Sequence, residues 1–203
     1  MRAIILLNGE PYSGTINAED AKVYCCDGAY AWAKGKVRID ENLGDFDSLD
    51  YMPEPAPSKI YPTEKDLTDG EIALQRAIAE GATLIEIYGG GGKREDHFFG
   101  NLHLLYAALE AGARAEMITN FSRIYCVKGK FELIGCRGRT VSVVPFGGKV
   151  HIIQSEGFYY PLDGLTFSYG STRGISNVVT LEKATFTAEG TALVIVNHEG
   201  GER

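Results

Sequence analysis

The hydrophobic period of this chain changes once, near residue 122, and that change limits the folds open to it. Upstream, the strand-sized apolar runs "AIILLN", "KVYCCD", "LIEIYG" and "AEMIT" alternate with helical patterns. In "TDGEIALQRAIAEG", Ile72, Leu74, Ala77 and Ile78 favour one side, and Gly81 stands where a C-terminal cap belongs. In "DHFFGNLHLLYAALEAG", Phe99, Leu102, Leu105, Tyr106 and Leu109 recur at helical spacing until Gly112 stops the run. Near-continuous apolarity marks strands covered on both faces. Residues 1–122 are therefore expected to form an α/β domain, a doubly wound and mostly parallel sheet with right-handed crossovers. Downstream the helical period is gone. "RIYCV" and "FELI", parted by "KGK", are followed by "TVSVVPF", "VHIIQ", "FYYPL", "NVVTL", "ATFTA" and "ALVIV" between glycine-bearing turns. Residues 123–203 are expected to form an antiparallel all-β domain, a sandwich or barrel.

Composition narrows the function classes. A formal charge of −7 argues against a nucleic-acid surface, which normally carries a basic patch. The apolar start "MRAIILLNGE" is far shorter than the roughly 20 residues a membrane span needs, so a cytosolic protein that binds no membrane is expected. Cys25, Cys26, Cys126 and Cys136 contain no CxxC pair, which signals neither a zinc knuckle nor a dithiol redox site.

Three polar stretches carry the chemistry. In "ENLGDFDSL", Asp45 and Asp47 share one side if the chain stays extended. Such crowded carboxylates repel unless a proton or cation intervenes, and Mg²⁺ with a phosphate partner resolves the conflict. A bare DxD is also, and more often, an Asp-rich turn, here closed by Ser48. In "PTEKDLTDGE", Asp66 and Asp69 share a face if both lie in a first helical turn, while Thr68 and Glu71 form a capping-box pattern. Lys65 beside them is either a solvated side chain or a phosphate contact. In "YGGGGKREDHFFGN", Gly89 to Gly92 allow backbone amides to approach an anion, Arg94 offers a guanidinium fork, and Asp96 is a candidate helix cap. His97 and Asn101 fall one helical turn apart. Singly, each stretch has a structural explanation. Together, three carboxylate-bearing strand-to-helix segments in one α/β half describe a metal-nucleotide site.

With "CDGAY", "LGDFDSL", "PTEKDLTDGEIAL", "GGGGKREDHFFGNLHLL", "GFYYPL" and "RGISNVV" in this order, the chain resembles the thiamine pyrophosphokinase family over nearly its whole length. The resemblance implies a nucleotide-binding α/β domain joined to a thiamine-binding β-sandwich. It also implies a homodimer with the active site near the subunit interface, and transfer of pyrophosphate from Mg·ATP to thiamine with release of AMP. Carried over by motif, Asp45, Asp47, Asp66, Asp69 and Asp96 become the catalytic acidic set, with Asp45, Asp47, Asp69 and Asp96 holding Mg²⁺. Asp27, Gly28, Lys65, Arg94 and Asn101 become nucleotide contacts, and Tyr160, Ser176 and Asn177 thiamine contacts. "DGA" stands where the family has DGG, and "GISN" where it has GTSN. Competing readings are a Mg²⁺-dependent phosphohydrolase using the same carboxylates and a non-catalytic nucleotide sensor.

Overall fold

The computed structural model describes residues 1–47, 49–57, 60–62, 64 and 66–200, with side chains to residue 198. The chain is a mixed-sheet protein with few helices, divided into two compact units, Met1–Asn120 and Phe121–Arg203.

The first unit contains β1 (Arg2–Leu6), β2 (Ala21–Cys26), α1 (Ala29–Ala33), β3 (Glu41–Leu43), α2 (Asp69–Ala79), β4 (Leu84–Tyr88), α3 (Glu95–Glu110) and β5 (Arg114–Ile118). Its strands pair in parallel in the order β3-β2-β1-β4-β5. The chain builds outward from β1 to β3, then returns to lay β4 on the other side of β1. The strand order therefore reverses between β1 and β4, and the carboxyl ends at such a switch point are where open parallel sheets place ligands. Ile4, Ile5 and Leu6 are fully buried, as a strand covered on both faces requires. Ile4, Leu6, Val23 and Cys25 pack with Ala29, Tyr30 and Ala33 of α1, while α2 lies on β1, β2 and β3 and against α3.

Helix ends follow local chemistry. Thr68 caps α2, its hydroxyl accepting from the Glu71 N–H at 3.2 Å. Gly81 and Gly112 adopt positive φ just past α2 and α3, as C-terminal caps do. Two expectations need correction. The N-cap of α3 is Arg94, without a side-chain cap bond, and Asp96 lies inside the first turn, accepting from the His97 N–H at 2.9 Å. Helix α2 starts at Asp69, so Asp66 precedes it and shares no helical face with Asp69.

The second unit contains β6 (Ser122–Ile134), β7 (Arg139–Pro145), β8 (Val150–Glu156), β9 (Thr166–Phe167), β10 (Asn177–Val178) and β11 (Lys183–Gly200). Pairing is antiparallel: β11 with β6, β7 and β8, β10 with β7, and β9 with β8. The strands are fewer and longer than the turn signals imply. "RIYCV" and "FELI" join in β6, and "ATFTA" and "ALVIV" join in β11. Glycine bends these strands instead of ending them. Gly190, at φ 91, sits in a register shift between Ala188 and Thr191 across from Gly129. The bulge lets one half of β11 pair with β8 and the other with β7. "FYYPL" is no strand: only Phe158 bridges, to Val179. Pro161 has no N–H for a ladder, and Tyr160 finds a side-chain partner instead. Phe167, Phe186, Val141, Val150 and Ile152 fill the core, with Phe186 between the rings of Phe131 and Phe158 at 5.8 and 6.3 Å.

No helix among the described residues is long and apolar enough to cross a membrane.

Candidate active site

At the crevice, the loop after β1 is laced to the loop after β4. Leu7 N–H donates to Tyr88 O at 2.8 Å, Gly9 N–H to Gly89 O at 2.8 Å and Glu10 N–H to Gly91 O at 2.7 Å. Such closeness requires glycine. A Cβ on Gly9 would lie 2.3 Å from Gly89 O, and one on Gly89, at φ +70, would lie 2.2 Å from Leu7 O. Trp32 of α1 donates its indole N–H to Leu7 O at 3.1 Å, and Asn101 of α3 its amide to Gly90 O at 2.9 Å. The glycine run is thus first a device for fixing two loops side by side, a role its composition alone did not disclose. Beyond it lies a cleft of about 380 Å³ whose lining includes Asn8, Cys26, Asp27, Asp69, Arg94 and His97. A neighbouring cleft of about 520 Å³ shares Thr68, His97 and Asn101 and adds Glu71, Asp96 and His103.

The acidic group forms where adjacent parallel strands end side by side. Asp27 follows β2, its N–H donating to Leu43 O at 2.8 Å, and Asp45 and Asp47 follow β3. Gly44 makes the approach: a Cβ there would lie 3.0 Å from Cβ and 3.1 Å from Cα of Asp27. The chain does not stay extended at this point. Phe46 has φ 61 and is buried, and Asp47 N–H donates to Asp45 Oδ1 at 3.2 Å. The stretch is an Asp turn, yet one carboxylate oxygen from each of Asp27, Asp45 and Asp47 lies within 4.8 Å of the others. Turn and site coincide. Left-handed backbone at Asp27 (φ 43) and Phe46 costs about 1 kcal/mol each or somewhat more, strain of the kind found at functional sites.

The remaining candidates are placed as follows. Asp69 lines the first cleft with its Oδ1 buried, but neither it nor Asp96 belongs to the close carboxylate group. Asp66 is exposed and lines neither cleft. Gly28 is the buried N-cap of α1. Lys65 and the turn-closing Ser48 lie outside the described residues. Arg94 and Asp96 form an exposed ion pair, Nη2 to Oδ2 at 2.6 Å and Nε to Oδ1 at 3.1 Å. The guanidinium hydrogen bonds, helped by the His97 N–H, hold the Asp96 carboxyl down at about 2. As the folded value is depressed, whatever the pair contributes is complete above the usual 3.8 and is lost as pH falls through about 2. Carbon NMR of Asp96 is expected to show titration near 2; a midpoint near 3.8 would mean that the pair does not form in solution.

Asn8 and Cys26 line the cleft without a signal in the sequence, and His97 lines it together with Asn101, its neighbour one helical turn on. Asp27, which its motif made a nucleotide contact only, joins the acidic group because β2 and β3 are neighbours. Burial pushes the Cys25 thiol up to about 12 and raises Cys26 as well, so both stay protonated at neutral pH. In the second unit, Tyr160 is half exposed and Asn177 is buried. Ser176, at φ 61, donates its N–H to Ser142 Oγ at 3.1 Å.

Residues 15–117 match the family description "Thiamin pyrophosphokinase, catalytic domain", and residues 130–193 match "Thiamin pyrophosphokinase, vitamin B1 binding domain". A thiamine pyrophosphokinase of Bacillus subtilis strain 168 is 33% identical over 164 residues, covering 76% of this chain and 77% of that protein. The crystal structure of thiamine pyrophosphokinase from Bacillus subtilis superposes with a TM-score of 0.85 at 25% identity, over 98% of this chain and 100% of that one. That of the Geobacillus thermodenitrificans protein gives 0.82 at 27% identity, over 98% of each chain. The Candida albicans structure, at 13% identity and a TM-score of 0.75 over 98% of this chain and 89% of that one, shares the fold. The chain belongs to the thiamin pyrophosphokinase family.

Proposed function

We infer that the chain transfers the pyrophosphoryl group of ATP to the hydroxyethyl group of thiamine, giving thiamine diphosphate and AMP. The observation that carries this reading is the convergence of Asp27, Asp45 and Asp47 at the carboxyl ends of the neighbouring strands β2 and β3, in a chain of this family. A thiamine-independent phosphohydrolase is disfavoured by the vitamin B1 binding match over residues 130–193.

The donor set supports Mg²⁺. All three groups offer carboxylate oxygen, the ligand a hard divalent cation prefers, and one oxygen of each lies within 4.8 Å of the others. Asp27, Asp45 and Asp47 would hold the ion, and of these Asp27 lines the cleft that Asp69 also lines. When bound, Mg²⁺ neutralises charge between carboxylates and polyphosphate and stabilises charge on the transferring group. The other work falls to the chain. Arg94 lines the cleft and, held by Asp96 through Nε and Nη2, offers its remaining guanidinium N–H groups to phosphate oxygens. Gly90, Gly92 and Asn101 shape the wall against which the nucleotide lies. By motif alone, Lys65 is a further nucleotide contact.

In the reaction, a bond forms from the thiamine hydroxyl oxygen to the β-phosphorus of ATP. The bond from that phosphorus to the oxygen retained by AMP breaks, and the alcohol proton passes to a carboxylate. Asp96, held at about 2, is a poor proton acceptor at neutral pH; its carboxylate orients Arg94.

The same proposal reads the first unit as a doubly wound nucleotide domain. It reads the second as a β-sandwich that takes thiamine through Tyr160 and Ser176 and forms a homodimer, in a cytoplasmic protein. Incubation with thiamine, ATP and Mg²⁺, analysed by mass, is expected to give thiamine diphosphate and AMP in equal amounts. AMP or phosphate release that ignores thiamine would overturn it.

A further inference from the structure

We propose that Asn177 is a positioning residue that sets the aromatic surface of the thiamine site through the main chain of Tyr160. The inference rests on the reading of Tyr160 as a thiamine contact. The motif makes Asn177 a substrate contact, but its carboxamide is turned inward. Oδ1 accepts from the N–H groups of Tyr160 at 3.0 Å and Val178 at 2.8 Å, and Nδ2 donates to Tyr160 O at 2.7 Å. Asn177 is 4% exposed. A carboxamide offers two lone pairs and two N–H donors, so these bonds use all but one of its places, leaving little with which to read a ligand.

By accepting from the N–H and donating to the C=O of one residue, the side chain does for Tyr160 what a neighbouring antiparallel strand would do. It does so at a place where Pro161 prevents a ladder from continuing. The rest of the loop is tied down in the same manner. Tyr159 N–H donates to Val178 O at 2.9 Å. Leu162 N–H donates to Ser155 Oγ at 3.1 Å, and Ser155 Oγ donates in turn to Asp163 Oδ2 at 2.9 Å. On this anchored backbone stand two large exposed rings, Tyr159 and Tyr160, 58% and 51% accessible, edge to face at 4.9 Å and 88°. Exposed aromatic residues on a mobile loop would have to be ordered at each binding event; here their backbone is ordered beforehand, which spares that cost in affinity. An aromatic corner also suits the permanent positive charge of thiamine.

The test is steady-state kinetics on the full chain with Asn177→Ala, Tyr160→Ala and the double variant, varying thiamine and ATP separately. Asn177→Ala is expected to raise KM for thiamine about tenfold, as loss of buried hydrogen bonds would, with KM for ATP changed less than about twofold and kcat less than about threefold. In the Tyr160→Ala background the same substitution is expected to change KM for thiamine less than about twofold, because its route of action is already gone. Independent, multiplying effects of the two substitutions would overturn the proposal, as would equal rises in both KM values. Hydrogen exchange of the unmodified protein reads the clamp even if Asn177→Ala does not fold. A Tyr160 amide protected at least about 100-fold supports the clamp, and one exchanging at the free-peptide rate removes it. A normal KM for thiamine in Tyr160→Ala alone would instead sink the assignment of Tyr160, while leaving the exchange result to speak for the clamp.

Discussion

Asp45→Asn will lower AMP formation by about 10²–10³-fold, the usual cost of removing one charge-stabilising group from a reacting centre, while leaving thermal unfolding at or above that of the parent. The two halves of this expectation have one cause. Oxygens of Asp27, Asp45 and Asp47 lie within 4.8 Å of one another, so in the absence of a cation each carboxylate is destabilised by the other two. An amide of the same shape relieves that repulsion and still offers an oxygen to the Asp47 N–H, which Asp45 Oδ1 now accepts at 3.2 Å. The bond to the Asp47 N–H is kept, but the site loses a negative ligand. Mg²⁺ together with a non-hydrolysable ATP analogue should accordingly raise the melting temperature of the parent more than that of Asp45→Asn. Near-normal turnover with unchanged stabilisation by metal would contradict the assignment. Asp96→Asn acts by another route, since Asp96 holds Arg94 in a pair at 2.6 Å. Its loss should appear mainly as altered use of ATP.

Gly89→Ala is expected to lower the melting temperature by about 5–15 °C. A residue with a Cβ at φ +70 costs about 1–2 kcal/mol, and forcing that carbon to within 2.2 Å of Leu7 O adds about 1–3 kcal/mol of overpacking. For a chain of this length each kcal/mol moves the midpoint by about 2–4 °C. The same displacement pulls apart the Leu7, Gly9 and Glu10 bonds to the glycine loop, so the nucleotide cleft should be damaged along with stability. Gly148→Ala is the matched control: nothing lies within 4 Å of its added carbon, and a shift below about 2 °C is expected. Equal behaviour of the two variants would mean that the loop lacing does not hold the crevice.

Much of the first unit was legible because its signals are local. Continuous apolar runs mark buried parallel strands, Thr68 caps α2, and Gly81 and Gly112 close α2 and α3. What escaped depends on the partner strand. Gly129 and Gly190 look like turn signals, but they bend two long strands because β11 must serve β8 along one half and β7 along the other. "FYYPL" has strand composition, yet Asn177 takes up the backbone groups of Tyr160 before a ladder can. The five residues of α1 are too short to leave a period. At the site, the GDFD pair was visible as chemistry, but its third member, Asp27, joins only because β2 and β3 are neighbours and Gly44 lets the turn lie against it. Conversely, Asp66 and Asp69 look like a pair only if the helix begins three residues earlier than it does.

The most direct test of the acidic centre is electron paramagnetic resonance with Mn²⁺ in place of Mg²⁺ and a non-hydrolysable ATP analogue present, counting bound ions in the parent and in single Asp→Asn variants. Asp27→Asn, Asp45→Asn and Asp47→Asn should each weaken Mn²⁺ binding by at least about tenfold, whereas Asp66→Asn should bind like the parent. Unchanged binding in the first three, or an Asp66→Asn variant as impaired as they are, would contradict the convergence on which the functional reading stands.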